Sequence, residues 1–135
     1  MRIMGIDYGD QRTGLAVSDE MGILVGEAWT VTEWDPGRLA ETVAAEAAKR
    51  GVKKLVLGLP KNMDGTEGAR AAKCREFAEL LRSKTELPLV LWDERRSSIE
   101  AHAILRTNGK KEKNHRKTVD AVAAALILEG YLGTI

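Results

Sequence analysis

Apolar runs of strand length, uninterrupted by the alternation of a half-exposed sheet, constrain this chain more than any other feature. Ile3-Met4-Gly5-Ile6 and Leu87-Pro88-Leu89-Val90-Leu91-Trp92 are two of them. Each reads as a buried strand, the second as one covered on both faces, and such strands need helices above and below their sheet. A third run, Lys54-Leu55-Val56-Leu57-Gly58-Leu59, is separated from the Leu87 run by a helical stretch bearing Cys74, Phe77, Leu80 and Leu81. Strand, helix, strand argues parallel pairing through a right-handed crossover.

The remaining elements fall into place around these runs. Gly14–Asp19 and Ile23–Val31 follow the first strand through short connections and predict an antiparallel meander. Asp35 can cap a helix with Pro36 at its first position, and the Leu39, Val43, Ala47 stripe ends at Lys49-Arg50-Gly51. Ser97 and Glu100 have capping-box spacing for a helix through Ala101, Ile104 and Leu105 that stops near Asn108-Gly109. A last helix runs through Lys117–Leu128. The order β-β-β-α-β-α-β-α-α predicts an α/β fold, a mixed five-stranded sheet flanked by helices on both faces, which brings the ends of the first and fifth elements near one cleft.

With 135 residues, the chain suits one domain spanning 1–135. Its 44% apolar and 30% charged residues exclude a disordered chain, and a formal net charge of +1 says little about partners. Charge distribution says more: Arg106 to Lys117 holds many cations and one acid, Glu112. Cys74 is the one cysteine, so no internal disulfide can form; a buried, inert thiol in a reducing compartment is expected. No secretory leader pattern or membrane-length apolar stretch is present, and the expected setting is the cytoplasm, with no membrane.

Three acids sit against this pattern. Asp7 lies inside an apolar strand, Glu94 just past another, and Asp120 on an apolar helix in line with Ala123, Ala124, Ile127 and Tyr131. Each has an ordinary structural use. Asp7 could close a turn near Gly9, Asp93 or Glu94 could pair with Arg95 or Arg96, and Asp120 could serve a helix N-terminus. Taken together they favour an acidic metal site, because gathered carboxylates repel unless a cation neutralises them, and hard oxygen ligands suit Mg²⁺ or Mn²⁺.

Short segments in a fixed order carry a resemblance that covers almost the whole chain. They are Gly5-Ile6-Asp7-Tyr8-Gly9 with Arg12-Thr13-Gly14-Leu15-Ala16-Val17-Ser18-Asp19, Gly58-Leu59-Pro60 with Asn62-Met63-Asp64-Gly65-Thr66, Asp93-Glu94-Arg95, and Asp120-Ala121-Val122-Ala123-Ala124. In these the chain resembles the YqgF (RuvX) family of Holliday-junction-resolvase-like nucleases, whose fold is ribonuclease H-like. The resemblance implies a metal-dependent phosphodiesterase with Asp7, Glu94 and Asp120 as the catalytic and metal-holding acids. It implies two Mg²⁺ or Mn²⁺ ions roughly 4 Å apart, with Asp7 bridging them, and hydrolysis leaving a 5′-phosphate and a 3′-hydroxyl. Strand alternation sends neighbours to opposite faces, and the family comparison favours Glu94 over Asp93 as the ligand. Arg96-Ser97-Ser98 stands where the family commonly has Leu followed by two hydroxyl residues. That change adds a cation beside the site.

Phosphate contacts are expected from Arg12, Lys61, Arg95, Lys110, Lys111, Lys113, Arg116 and Lys117, cations near the acids or in the basic segment. His115 is a weaker candidate for proton transfer, and Trp29 and Trp34 could stack on bases, although packing is the commoner use of such rings. The family link points first to a structured ribosomal RNA precursor, matured at the 5′ end of 16S rRNA, and second to a four-way DNA junction, with a monomer or homodimer acting. Two other classes compete. A non-catalytic nucleic-acid adaptor would keep the fold without using the acids. An actin-like ATPase would use Asp7-Tyr8-Gly9 as a phosphate loop, but such enzymes close two domains on the nucleotide.

Overall fold

The computed structural model describes residues 1–96 and 112–135. Five strands, β1 (Arg2–Asp7), β2 (Arg12–Ser18), β3 (Val25–Thr32), β4 (Val52–Leu59) and β5 (Leu89–Asp93), form one sheet in the order β3-β2-β1-β4-β5. The first three are antiparallel, while β1, β4 and β5 run parallel, which is the mixed sheet expected. Helices α1 (Pro36–Lys49) and α2 (Ala69–Arg82) and the last helix, α3 (Glu112–Leu132), complete the described elements, with a single 3-10 turn at Glu94–Arg96. The helix expected from Ser97 lies outside the described residues, as do Lys110 and Lys111.

Strand alternation divides the core between the two faces of the sheet. Met4, Ile6, Leu15, Leu55 and Leu57 point to one side, where Leu39 and Val43 of α1 and Phe77 and Leu81 of α2 cover them. Ile3, Ala16 and Val56 point to the other, where Ala124, Ile127, Leu128 and Tyr131 of α3 pack. Fully burying side chains of this size contributes about 1.5–3 kcal/mol each. Asp7 shares the α3 face with Ile3 and Gly5, and Tyr8 shares the α1–α2 face with Met4 and Ile6.

Local chemistry explains where boundaries fall. Asp35 caps α1, its Oδ2 accepting from the Arg38 amide at 2.8 Å, and Gly51 takes a positive φ of 69° beyond the helix's last turn. Strand β3 begins two residues later than expected. The Asp19 carboxylate accepts from the amides of Ile23 (2.8 Å) and Leu24 (3.2 Å), which holds them in the turn rather than in the ladder. Strand β5 also begins later, after Pro88, which has no N–H to pair. It was expected to be covered on both faces. It is, with Leu89 and Leu91 packed on one face and Val90 and Trp92 on the other, although as the outer strand of the sheet it is half-buried along its length. Trp29 packs against the core beneath Arg50, 3.9 Å from the ring centroid, whereas Trp34 is 68% exposed and is not a core residue.

Candidate active site

The three acids are brought to one end of the sheet by three different elements. Asp7 is the last residue of β1 and pairs in register with Gly14 of β2. Glu94 follows β5, two strands away across β4. Asp120 lies on α3, in the turn preceding the buried Ala123 and Ala124.

Glycines make this convergence possible, and sequence reasoning missed that role. A Cβ on Gly58 would stand 3.2 Å from Cδ and 3.3 Å from Cγ of Glu94, so the glutamate side chain lies over the bare backbone of β4 on its way to Asp7. A Cβ on Gly14 would come within 1.9 Å of the Asp120 carbonyl oxygen, and one on Gly5 within 2.8 Å of the Ala124 carbonyl. Helix α3 therefore rests directly on the backbones of β1 and β2, and Asp120 sits beside Asp7 because nothing lifts the helix away. The legible signal was a glycine inside each of three strand patterns, which marks close backbone approach.

Electrostatically, the trio resolves into a pair and a neighbour. Burial pushes the Asp7 carboxyl well above its ordinary range, and a side-chain hydrogen bond with Glu94 and the charges of Glu94 and Asp120 push it further; Arg70 pulls weakly the other way. Asp120 is also raised, again chiefly by burial, against a lowering by Arg12. Its Oδ2 lies 3.6 Å from Arg12 Nε, and both side chains are about one quarter exposed. Among the described residues, no three His, Cys, Asp or Glu side chains stand close enough to form a finished metal-binding group. The donor set nevertheless fits a hard cation: three carboxylates, two of them disfavoured as anions, in a half-buried cleft.

The flanking cations differ in how they are held. The β1–β2 turn places Arg12: the buried Thr13 hydroxyl accepts from the Gly9 amide at 3.2 Å, and Gly9 leaves room for the Arg12 carbonyl. Arg95 is bound to Asp93 by its Nε, 2.9–3.0 Å from both carboxylate oxygens, and by Nη2 at 2.5 Å. Asp93 is thus a positioning group with its carboxyl held below the usual range by Arg95. Arg95 Nη1 also donates to the Met63 carbonyl at 3.3 Å, tying the 62–66 loop to the site. Within that loop the Asp64 carboxylate accepts from the Thr66 amide and hydroxyl, and Gly65 takes a φ of 88°. Lys61 precedes this loop and is half-buried. Lys113, Arg116, Lys117 and His115 lie on α3, but their side chains fall outside the described set.

Arg70 of α2, absent from the sequence-derived candidates, organises the strand end from the opposite face. It donates to the Tyr8 carbonyl and to Asp10 (3.0 Å), and lies 5.0 Å from the Tyr8 ring. Tyr8 in turn stacks on Phe77, centroids 4.3 Å apart. Cys74 is buried as expected, and its thiol is pushed up to about 11, mainly by desolvation.

Comparison with known proteins gives a consistent result. A family model described as "RuvX: Holliday junction resolvase" matches residues 1–134. A protein of Halothermothrix orenii named "Putative pre-16S rRNA nuclease" is 39% identical over 132 residues, covering 98% of this chain and 94% of its own. A protein of Bacillus cytotoxicus with the same name is 40% identical over 140 residues, covering 98% of each. Among solved structures, Thermus thermophilus RuvC in complex with a Holliday junction substrate superposes with a TM-score of 0.63 at 16% identity, covering 99% of this chain and 97% of that one. The fowlpox virus Holliday junction resolvase gives 0.61 at 13% identity, with both chains covered fully. At these identities the likeness is one of fold, and it is the RuvC-like, ribonuclease H-like fold expected.

Proposed function

The chain belongs to the RuvX (Holliday junction resolvase) family, and from that premise we propose that it is a metal-dependent nuclease, a single domain that hydrolyses phosphodiester bonds in a ribosomal RNA precursor. The observation that carries the reading is that Asp7, Glu94 and Asp120 converge at one end of the sheet, Glu94 lying over the bare backbone of Gly58 and Asp120 resting on Gly14, the register partner of Asp7. A buried acidic cluster of this kind is costly for a fold and useful to a phosphoryl-transfer enzyme. Asp7, Glu94 and Asp120 are the residues that would hold Mg²⁺ or Mn²⁺. Such ions, when bound, supply Lewis-acid stabilisation of phosphate oxygens and an activated water.

The protein's own groups do the rest. Arg12 balances Asp120 and lies where it can exchange that partner for a substrate phosphate. Arg95, fixed by Asp93 on one side and the 62–66 loop on the other, presents a positioned cation rather than a mobile one. Lys61 and the basic residues Lys110, Lys111, Lys113, Arg116 and Lys117 are the further phosphate contacts of this reading, giving affinity without reading sequence. The relatives' names favour an rRNA precursor, hence the cytoplasm; the family's description favours, as a second reading, a four-way DNA junction. Among the described residues, no helix is long and apolar enough to cross a membrane.

The test is cleavage of labelled pre-rRNA fragments, generic single-stranded RNA and a four-way junction, with Mg²⁺ or Mn²⁺, by the native protein and Asp7→Asn. Loss of a metal-dependent cut in the variant supports the reading, and the preferred substrate selects the role. Equal activity of the two proteins would sink it. Sedimentation of the protein with and without junction DNA adds a second criterion, since paired cuts on opposed strands require a symmetric dimer whereas RNA trimming does not.

A further inference from the structure

Around the end of β1 from the acids lies a second concavity, of about 310 Å³, on the α1–α2 face. Trp34 forms one wall, exposed over two thirds of its surface, and the stacked rings of Tyr8 and Phe77 reach its floor. Its polar rim carries Asp10, Lys73 and Glu76. Asp10 is already balanced by Arg70 at 3.0 Å and Lys73 at 3.5 Å. The rim therefore holds acceptors and donors together with little net charge.

We propose that this concavity receives one unstacked nucleobase of the substrate strand, next to the scissile bond, with Trp34 as its stacking platform. The inference rests on the nuclease reading and extends it to how the strand is gripped. Tyr8 adjoins Asp7 in sequence and, by strand alternation, lies on the opposite face of the same strand end. A strand whose phosphate lies at Asp7 can thus fold a neighbouring base over the end of β1 toward Tyr8 and Trp34. The lining suits a base better than a phosphate: Lys73 is already engaged by Asp10, so no surplus cation faces the concavity, while the carboxylates can accept hydrogen bonds from the exocyclic amino groups of adenine, guanine or cytosine. Lys73 and the aromatic surfaces suit the ring itself. Stacking tolerates any base, so the subsite distinguishes unpaired from paired strands more than it distinguishes sequences.

Binding is measured by fluorescence anisotropy of short labelled single-stranded RNA on proteins carrying Asp7→Asn, which prevents cutting. Trp34→Ala should weaken binding about ten-fold, in keeping with the value of one base–aromatic stack, and Trp34→Phe should restore most of it. An oligonucleotide with an abasic site at the stacked position should bind the Trp34→Ala and native-Trp34 proteins alike. Circular dichroism checks that the exposed substitution leaves the fold intact. Equal affinity of the Trp34→Ala and native-Trp34 proteins for intact RNA would overturn the proposal, as would absence of single-strand binding altogether. Either result leaves the nuclease reading standing if Asp7→Asn still abolishes cutting. Conversely, undiminished cutting by Asp7→Asn would defeat that reading while the anisotropy still reports on the stack.

Discussion

Adding one methyl group at Gly58 tests whether the site depends on bare backbone. An alanine Cβ there would stand 2.6 Å from Ile127 Cδ1 and 3.2 Å from Glu94 Cδ. Carbon atoms prefer separations of about 3.5 Å or more, so the Ile127 methyl must retreat by about 0.9 Å and the Glu94 carboxylate carbon by about 0.3 Å. Ile127 is fully buried, and overpacking of that kind costs about 1–3 kcal/mol. Loss of glycine's freedom in the unfolded chain returns about 0.4–1 kcal/mol. The expected net loss is about 1–2 kcal/mol, or about 3–8 °C in Tm for a chain of this size. Activity should fall further than stability implies. A misplacement approaching 1 Å can remove about 100-fold in rate, so a shift of a few tenths should lower kcat several-fold at temperatures where the variant is fully folded.

Ile127→Val separates the two effects by deleting the obstructing methyl. In the Gly58→Ala/Ile127→Val double variant the new Cβ occupies the space that Cδ1 vacates. Stability should return to within about 0.5 kcal/mol of Ile127→Val alone, a favourable coupling of neighbouring sites, while the loss of cleavage persists because Glu94 is still displaced. Thermal melts and single-turnover cleavage give both quantities. Native kcat in Gly58→Ala, or recovery of activity in step with stability in the double variant, would refute the argument that Gly58 is kept bare for Glu94.

Three further outcomes are expected. Because the Asp7 and Asp120 carboxyls are raised above their ordinary value of 3.8, their contribution to stability is present below that pH and is lost as pH rises through the folded-state values. Metal-free melts should therefore show falling stability with rising pH over that window, with a flatter profile for Asp7→Asn, and added Mg²⁺ or Mn²⁺ should raise the native Tm and not the variant's. Arg12→Ala should weaken nucleic-acid binding across sequences and reduce the slope of log K against log salt by about one; an unchanged slope would remove Arg12 from the phosphate contacts. Cys74 should resist alkylation in the folded protein and react only on unfolding, since burial both shields the thiol and raises it to about 11; rapid labelling under native conditions would contradict the packing of α2.

The architecture was legible where local and global signals agree. The Asp35-Pro36 start and the Lys49-Arg50-Gly51 end of α1 are capping chemistry that neighbours cannot override, and the spacing of Asp120 with Ala123, Ala124 and Ile127 places one face of α3 on the sheet. The place of β5 at the outer end of the strand order was not legible. An apolar run looks alike in an inner or an outer parallel strand, and the difference lies in whether another strand pairs beyond it. The start of β3 was missed for a different reason: a side chain, Asp19, captures amides that a propensity argument assigns to the ladder. The three acids could be selected from the sequence because charge stands out among apolar residues. The glycines beneath them could not be so readily selected, since what they provide is space, and Arg70 reaches the site from an amphipathic helix where its charge is unremarkable.

The division of β1 into two faces also acts as a proofreading device. Asp7 and Tyr8 are consecutive, so a slip of one residue in the pairing of β1 would exchange them: the phenol would enter the acidic cleft and the carboxylate would be pressed against Phe77. Such a mispaired chain loses its activity and buries an unpaired charge in the same step. Inactive but well-packed molecules are thereby disfavoured, and the fraction of chains that survive folding should be close to the fraction competent to work.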